Sequence, residues 1–583
     1  MLNTLISNLV LFAVLVLCIE SAAAPPTLIL NTPRDGIQTE SLRIRIAGKS
    51  SPGAKVTVND VEMYSHPAGG FAGLVNLAPG ENILHVVAQL EGEKSELSVR
   101  VVCTQPAPPD MSKTEILKDS IVPGTQLELL PGDDVEVSFM GTPHRTATFS
   151  IAGICSKIPM VEYAQRNGWS VYRGTYRIQT GETASKVPIS ISLSSGQASA
   201  LETAGNLTIR DSRNPVIAYV SANRGIVRTA PDGAWDMIWA TGIKSEVTGR
   251  IGEMLRLSMP GGKVGWIYED AVSVLPPGTP VPRAKVGTII SKTTDYGVSI
   301  ALDVAEKLPF EVKESVSPPV IELTIYGGIA ETSWINRDLD GIIKELQWSQ
   351  PADGVYRLRV ALNQEQIWGW DAHYEEGALV LEIKRPPKLA PPPASPLSGL
   401  TVFLDAGHGG RESGAVGPTG FEEKIANLDI AKKLARKLRM KGARVVLSRT
   451  KDVTVPLEDR PSIAASANAD ILISIHNNSV AESSDPVKVR GVSTYWYHPH
   501  AMSLSESIYK RCLDLGIPGL GHIYSNLAII RPHRMIAVLI EGAFMSHPDE
   551  EFLLQQDDFR EKLAESIMQG VEDWLKQLRK CEE

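Results

Sequence analysis

The proline-rich stretch RPPKLAPPPASPLSG, residues 385–399, divides the chain into two parts with different hydrophobic periods. Its prolines fix φ and favour an extended, semi-rigid spacer, so neither a helix interior nor a central strand runs through it. Before it, short alternating runs lie between turn signals, as in Val56-Thr57-Val58 before Asn59-Asp60, Ile83-Leu84-His85-Val86-Val87 after Pro79-Gly80, and Val187-Pro188-Ile189-Ser190-Ile191. Strands at this pitch, without helical periods between them, predict all-β modules. After it, Thr401–Leu404, Ala443–Leu447, Ile471–Ile475 and Met535–Ile540 read as buried strands. Between and after them, Ile425, Leu428, Leu434 and Leu438, and then Phe559, Leu563, Ile567, Val571 and Trp574, recur at helical spacing. Alternating strands and helices predict an α/β domain with a largely parallel sheet. A length of 583 residues accommodates about four domains, and 43% hydrophobic with 21% charged residues excludes wholesale disorder.

The β part is expected to hold four modules. Residues 26–104, with SPGAKVTVND and LAPGENILHVVA, resemble bacterial Ig-like sandwiches. The segment QPAPPD at 105–110 separates these from a second β module at 112–211. Residues 214–275 resemble a bacterial SH3-like barrel, most closely at Gly265-Trp266-Ile267. Trp235, Trp239 and Trp266 there are expected to be barrel core, with a ligand groove as the alternative. Residues 285–384 return to strands, and their position ahead of the last domain suggests an AMIN-type wall-targeting module.

Residues 1–24 read as a secretory signal peptide: an apolar stretch over 5–19, too short for a comfortable membrane span, then Ser21, Ala22, Ala23 and Ala24. No Lys or Arg precedes the apolar core, and Leu17 ahead of Cys18 makes a poor lipidation signal. Export to a periplasm, cell wall or extracellular space is therefore expected, with no stable membrane span. A net charge of -9 argues against a protein built to hold nucleic-acid phosphates. Five scattered cysteines exclude a disulfide scaffold, leaving a Cys103–Cys155 bridge or unpaired thiols. The sequence leaves the oligomeric state open.

Seven of the eleven histidines lie after residue 400. His408 follows the first strand in LDAGHGG, and His476 ends the third in ISIHNN. Open α/β sheets place ligands at such strand ends. Glu423, beside Glu422, opens the helix after the first strand, and Glu541 closes an apolar strand in VLIEGAF. A carboxylate and two imidazoles converging from separate strand ends match a His₂Glu zinc site with one open position, and a further carboxylate can serve as base. On the residues alone, Glu422 and Glu423 are both candidates for the ligand, and Glu423 can equally be a solvated helix-start residue.

Residues 400–580, within a last domain expected over 399–580, resemble the zinc N-acetylmuramoyl-L-alanine amidases of bacterial cell walls. The resemblance rests on LDAGHGG, EEK with Asn427, LSRT, LEDR, ADILISIHNNS and IIRPHRMIAVLIEGAFMSHPDEE, in that order. It implies Zn²⁺ held by His408, Glu423 and His476, with Glu541 catalytic. It also implies peptidoglycan as substrate, cut between the lactyl group of N-acetylmuramic acid and L-alanine. Arg531, in LAIIR, is a candidate for meeting substrate charge or bracing the site. Ala543 and His547 depart from the family pattern, at a common Gly and a common Asn. The compact connection between His476 and Glu541 implies an accessible site. The β modules are then expected to be targeting or spacing arms.

Overall fold

The computed structural model describes residues 24–337 and 341–582, so the leader over 1–23 lies outside the described residues. Among the described residues no helix is long and apolar enough to cross a membrane. The chain before residue 385 is built of strands. Residues 28–103 form a four-stranded and a five-stranded sheet. Ile44, Ile46 and Phe71 of one sheet pack against Val56, Val86 and Val101 of the other, which is the alternation a two-sheet sandwich requires.

The strands from Ile116 to Val274 belong to one 15-stranded array around two cores. Gln126–Leu129 joins them, pairing in parallel with Ala198–Ile209 and antiparallel with Lys244–Ile251. The second β module and the barrel thus share a hydrogen-bonded edge, which a reading of separate beads does not anticipate. Satisfying an exposed strand edge is the physical reason for such a join. Trp239 and Trp266 are buried in the barrel, whereas Trp235 reaches its rim. Cys103 and Cys155 are free thiols rather than a bridge. Residues 284–384 form a six-stranded and a four-stranded sheet over a common core.

The proline-rich segment carries no helix or strand, but it is not a free spacer. Leu397 is fully buried in the C-terminal core. Arg579 donates to the carbonyls of Ala390 and Ala394, and Ser395 Oγ donates to Glu572. The prolines keep the backbone extended, and the terminal helix satisfies its carbonyls.

In the C-terminal domain the elements, numbered from its own start, are β1 (Thr401–Ala406), α1 (Glu423–Met440), β2 (Arg444–Leu447), α2 (Asp459–Ser466), β3 (Ile471–Asn478), β4 (Val492–Trp496), α3 (Met502–Cys512), β5 (Gly519–Tyr524), β6 (Ile536–Phe544), α4 (Pro548–Gln555) and α5 (Asp557–Glu582). The sheet order is β2-β1-β3-β6-β4-β5. β2, β1, β3 and β6 run parallel, β4 pairs antiparallel with β6, and β5 runs parallel to β4. Both faces are covered, as parallel strands require. Ile430 and Leu434 of α1, Ile508 of α3, and Ile567 and Trp574 of α5 pack on one face. Ala464 of α2, Ile529 and Ile530 pack on the other.

Candidate metal centre

β1, β3 and β6 are adjacent and parallel, so their C-terminal ends open on one side of the sheet. His476 and Glu541 are register partners across β3 and β6. His408 sits two residues beyond β1, at φ 59, in the left-handed region that a residue with a Cβ seldom enters. Such strain, of order 1–3 kcal/mol, persists only where the surroundings over-determine it. Here two buried arginines do so. Arg449 donates to the carbonyls of Ala406, Gly407 and Lys424. Arg460 donates to those of Ala406 and His408, and pairs with the buried Asp405 at 2.6 Å. Asp405 in turn accepts from Ser474 Oγ on β3. Gly407 has no room for a side chain, since a Cβ there would lie 2.3 Å from the His476 ring.

Glu423 is the first residue of α1 and only 3% exposed. Oε1 accepts from the Asn477 backbone N–H at 3.1 Å and from Asn427 Nδ2 at 3.0 Å, and Oε2 accepts from the Ala415 N–H at 2.8 Å. His408 Nε2 lies 3.2 Å from Oε2, and His476 Nδ1 lies 3.0 Å from Oε1. Burial alone would raise the Glu423 pKa, but hydrogen bonds from His408 and His476 outweigh it and hold the carboxyl well below its ordinary range. Burial likewise works to lower the His476 pKa, and Glu423 with Glu541 reverses the sign, so it is raised. Glu422, by contrast, pairs with Lys424 at 3.2 Å, and Lys424 also reaches Asp452 and the Gly410 carbonyl.

His408, Glu423 and His476 each present one ligand atom, all within 4.8 Å of one another. Ligands at 2.0–2.1 Å from a tetrahedral ion lie about 3.3 Å apart. The imidazoles approach the two Glu423 oxygens separately, His408 at Oε2 and His476 at Oε1, at 3.2 and 3.0 Å, so the carboxylate lies between them at about the spacing of neighbouring ligands. Beside them, Glu541 Oε2 is buried and finds no hydrogen-bond partner. Burial raises the Glu541 carboxyl to about 8, with Glu423 adding to the rise and His476 opposing it. A buried, unsatisfied carboxylate oxygen next to a cluster of metal-ligand type has the character of a proton acceptor awaiting a partner. The His408 side chain is 31% exposed, so the site is open to solvent.

Other residues singled out in the sequence lie elsewhere. Arg531 precedes β6, whose Ile536 end lies about 16 Å along the strand from Glu541. Its guanidinium stacks over Trp235 of the barrel at 3.9 Å and donates to Asn526 Oδ1. His498 and His500 are also remote from Glu541: His498 Nε2 donates to the Arg531 carbonyl at 2.8 Å, and His500 pairs with Glu314 of the preceding module at 2.9 Å. His547 accepts from the Asp549 N–H and so caps α4, the task an Asn performs at such a position. Ala543 is core. The residues that sequence reasoning left without a role are Arg449, Arg460, Asp405, Asn427 and Asn477. Arg449 and Arg460 lie within LSRT and LEDR, but a role in gripping backbone carbonyls leaves no pattern in side-chain chemistry.

Residues 402–573 match the family described as N-acetylmuramoyl-L-alanine amidase. The N-acetylmuramoyl-L-alanine amidase LytC of Bacillus subtilis (strain 168) is 36% identical over 178 residues, which is 30% of this chain and 36% of that protein. The probable cell wall amidase LytH of Staphylococcus aureus is 32% identical over 180 residues, covering 30% of this chain and 59% of that protein. The match therefore spans less than two thirds of either relative. Among solved structures, the N-acetylmuramoyl-L-alanine amidase AmiC2 of Nostoc punctiforme is 33% identical, with 31% of this chain and 99% of that chain covered and a TM-score of 0.29.

Proposed function

The C-terminal domain of this chain belongs to the N-acetylmuramoyl-L-alanine amidase family, and from that premise we propose that the whole protein is an exported, zinc-dependent peptidoglycan amidase. The observation that carries this reading is the cluster of His408, Glu423 and His476 with the unpartnered Glu541 Oε2 beside it. The bond cleaved is the amide between the lactyl carboxyl of N-acetylmuramic acid and L-alanine, leaving a free lactyl carboxylate and a stem peptide with a free amino terminus.

In this reading His408, Glu423 and His476 hold zinc. When bound, zinc lowers the pKa of a water molecule toward neutrality and polarises the scissile carbonyl. Glu541 accepts the attacking water's proton at Oε2 and delivers it to the departing L-alanine nitrogen. Its burial favours the acceptance, because a carboxyl of raised pKa is the stronger base. Asn427 and the Asn477 N–H fix Glu423 so that its oxygens face the imidazoles. Arg449 and Arg460 hold the turn that aims His408. For Arg531 the bracing role is the better reading, given its seat on Trp235.

The β modules are read as an Ig-like sandwich, a second β module, an SH3-like barrel and an AMIN-like module that keep the enzyme at the wall. Residues 1–24 are read as its signal peptide. A test is digestion of purified sacculi by the full-length protein. Solubilisation should stop on chelation and return with added zinc. Full activity in exhaustively metal-stripped protein would sink the metal assignment.

A further inference from the structure

The first sandwich is not a detached arm. It touches three segments of the C-terminal domain, the loops that leave β1 and β3 and the start of α4 beyond β6. Asn31 Nδ2 donates to the Pro418 carbonyl, five residues before Glu423. Tyr64 Oη donates to Asp549 at 2.9 Å and packs on His547, beyond the end of β6. His66 stacks on Phe552 at 4.4 Å. The third contact is the most deeply made. Arg45, on the strand Arg43–Ser50, is 9% exposed. Its Nη1 donates to Ser479 Oγ at 3.0 Å and to the Val480 carbonyl at 3.1 Å. Its backbone N–H donates to the Glu482 carbonyl at 2.6 Å.

Ser479 follows His476 by three residues, directly after β3 ends at Asn478. The Val480 N–H donates to Ser546 Oγ, so the loop is gripped by the C-terminal domain on one side and by Arg45 on the other. The two N–H bonds of a single nitrogen, Nη1, diverge to Ser479 Oγ and the Val480 carbonyl and hold these acceptors in fixed relative position, while Nε is buried without a hydrogen-bond partner. With the sandwich seated, His408 remains exposed to solvent, so the sandwich flanks the site without closing it.

We propose that the sandwich is an intramolecular brace of the metal centre and that Arg45 is a positioning residue, fixing through Ser479 and Val480 the loop that leaves His476. This rests on the proposed function, on its amidase reading for the turnover measurement and on its metal assignment for the zinc-release measurement. A catalytic geometry loosened by a few tenths of an ångström lowers kcat, while substrate contacts and hence KM are left alone.

The experiment uses the full-length, zinc-loaded protein and four forms: wild type, Arg45→Ala, Ser479→Ala and the double variant. Two quantities are read: kcat and KM on solubilised muropeptides, and the rate of zinc release to a chromogenic chelator. A charge-assisted contact of this kind predicts that each single variant loses about fivefold in kcat with KM within about twofold, and releases zinc about fivefold faster. The double variant should be no worse than Arg45→Ala, since the two residues share one contact. Arg45→Lys, or millimolar guanidinium added to Arg45→Ala, should restore part of both quantities. If Arg45→Ala misfolds the sandwich, Ser479→Ala removes the same contact from the other side. Wild-type kcat and zinc release in Ser479→Ala, or losses that multiply in the double variant, would overturn the proposal. An inactive wild type that still releases zinc faster in the variants would instead retain the brace and remove the amidase reading.

Discussion

Replacing Glu423 by Gln changes one atom in a side chain that five groups surround. Oε1 receives the Asn477 N–H, Asn427 Nδ2 and His476, and Oε2 receives the Ala415 N–H and faces His408. A glutamine keeps one carbonyl oxygen. Whichever way the amide turns, its NH₂ must face a fixed backbone N–H, so one buried donor loses its acceptor and the amide itself lacks one. At about 1–3 kcal/mol for each unsatisfied group, the local cost is roughly 2–6 kcal/mol. The charge that holds the two imidazoles is also lost, and a neutral amide is a poor replacement among only three protein ligands. Glu422→Gln is the matched control. That side chain is 38% exposed and its partner is Lys424, a surface pair worth at most about 1 kcal/mol. Hydrogen exchange over 412–422 and 471–482, with zinc content after dialysis, reads both effects. Glu423→Gln should exchange at least about tenfold faster in these peptides and lose its zinc, by the conversion of 1.4 kcal/mol per decade. Glu422→Gln should match wild type. Stoichiometric zinc and native protection in Glu423→Gln, or zinc loss in Glu422→Gln, would refute the assignment of the two neighbours.

Three further outcomes are expected. Glu541→Gln should lower turnover by roughly 10²–10⁴-fold with zinc content near wild type, because it removes a proton acceptor and not a ligand; full turnover would move the base elsewhere. The interface between the β module at 284–384 and the C-terminal domain should weaken on acidification. Burial, then the charge of His500, lowers His498 to about 3. The unfolded imidazole therefore takes up its proton first, and stability falls as pH drops below about 6.5, by up to about 1.4 kcal/mol per unit. Glu314, held at about 2 by His500 against its own burial, contributes only below about pH 4.5. Thermal denaturation at pH 6.5 and 5.5 should show a drop that His498→Asn reduces; an equal drop in both proteins would contradict the linkage. Arg531→Ala should release the barrel, with faster exchange over Trp235–Ala240, by the roughly 0.5–2 kcal/mol of a cation–π contact. A raised KM with unchanged exchange would assign Arg531 to substrate.

What was legible in the sequence follows from which interactions leave a periodic trace. β1, β3, β6, α1 and α5 carry uninterrupted apolar runs or helical spacing, because both faces of the sheet are covered. β4 and β5 were not legible: VSTYW and GLGHIY mix aromatic and polar residues, since β5 is the sheet edge and β4 lies next to it. α2 opens on Asp459 and Arg460 and has a single turn's worth of core residues, so its period is too short to register. His408, His476 and Glu541 could be singled out because strand ends and uncompensated ionisable groups are local signals. Arg45 could not, because the partners that bury it lie 434 and 435 residues away. The seating of the β modules on the C-terminal domain likewise depends on shape between units that a one-dimensional pattern does not encode.

In the proposed reaction this site cuts between the lactyl group and L-alanine. The most direct measurement is the identity of the amino terminus that the full-length, zinc-loaded protein creates in purified sacculi, read by end-group labelling and mass spectrometry of the released fragments. New L-alanine amino termini should appear, in equal number to free muramic-acid lactyl carboxylates, and be absent from the Glu541→Gln digest. New termini at any other residue of the stem peptide, with muramic acid still amidated, would make the protein a peptidase and contradict the account.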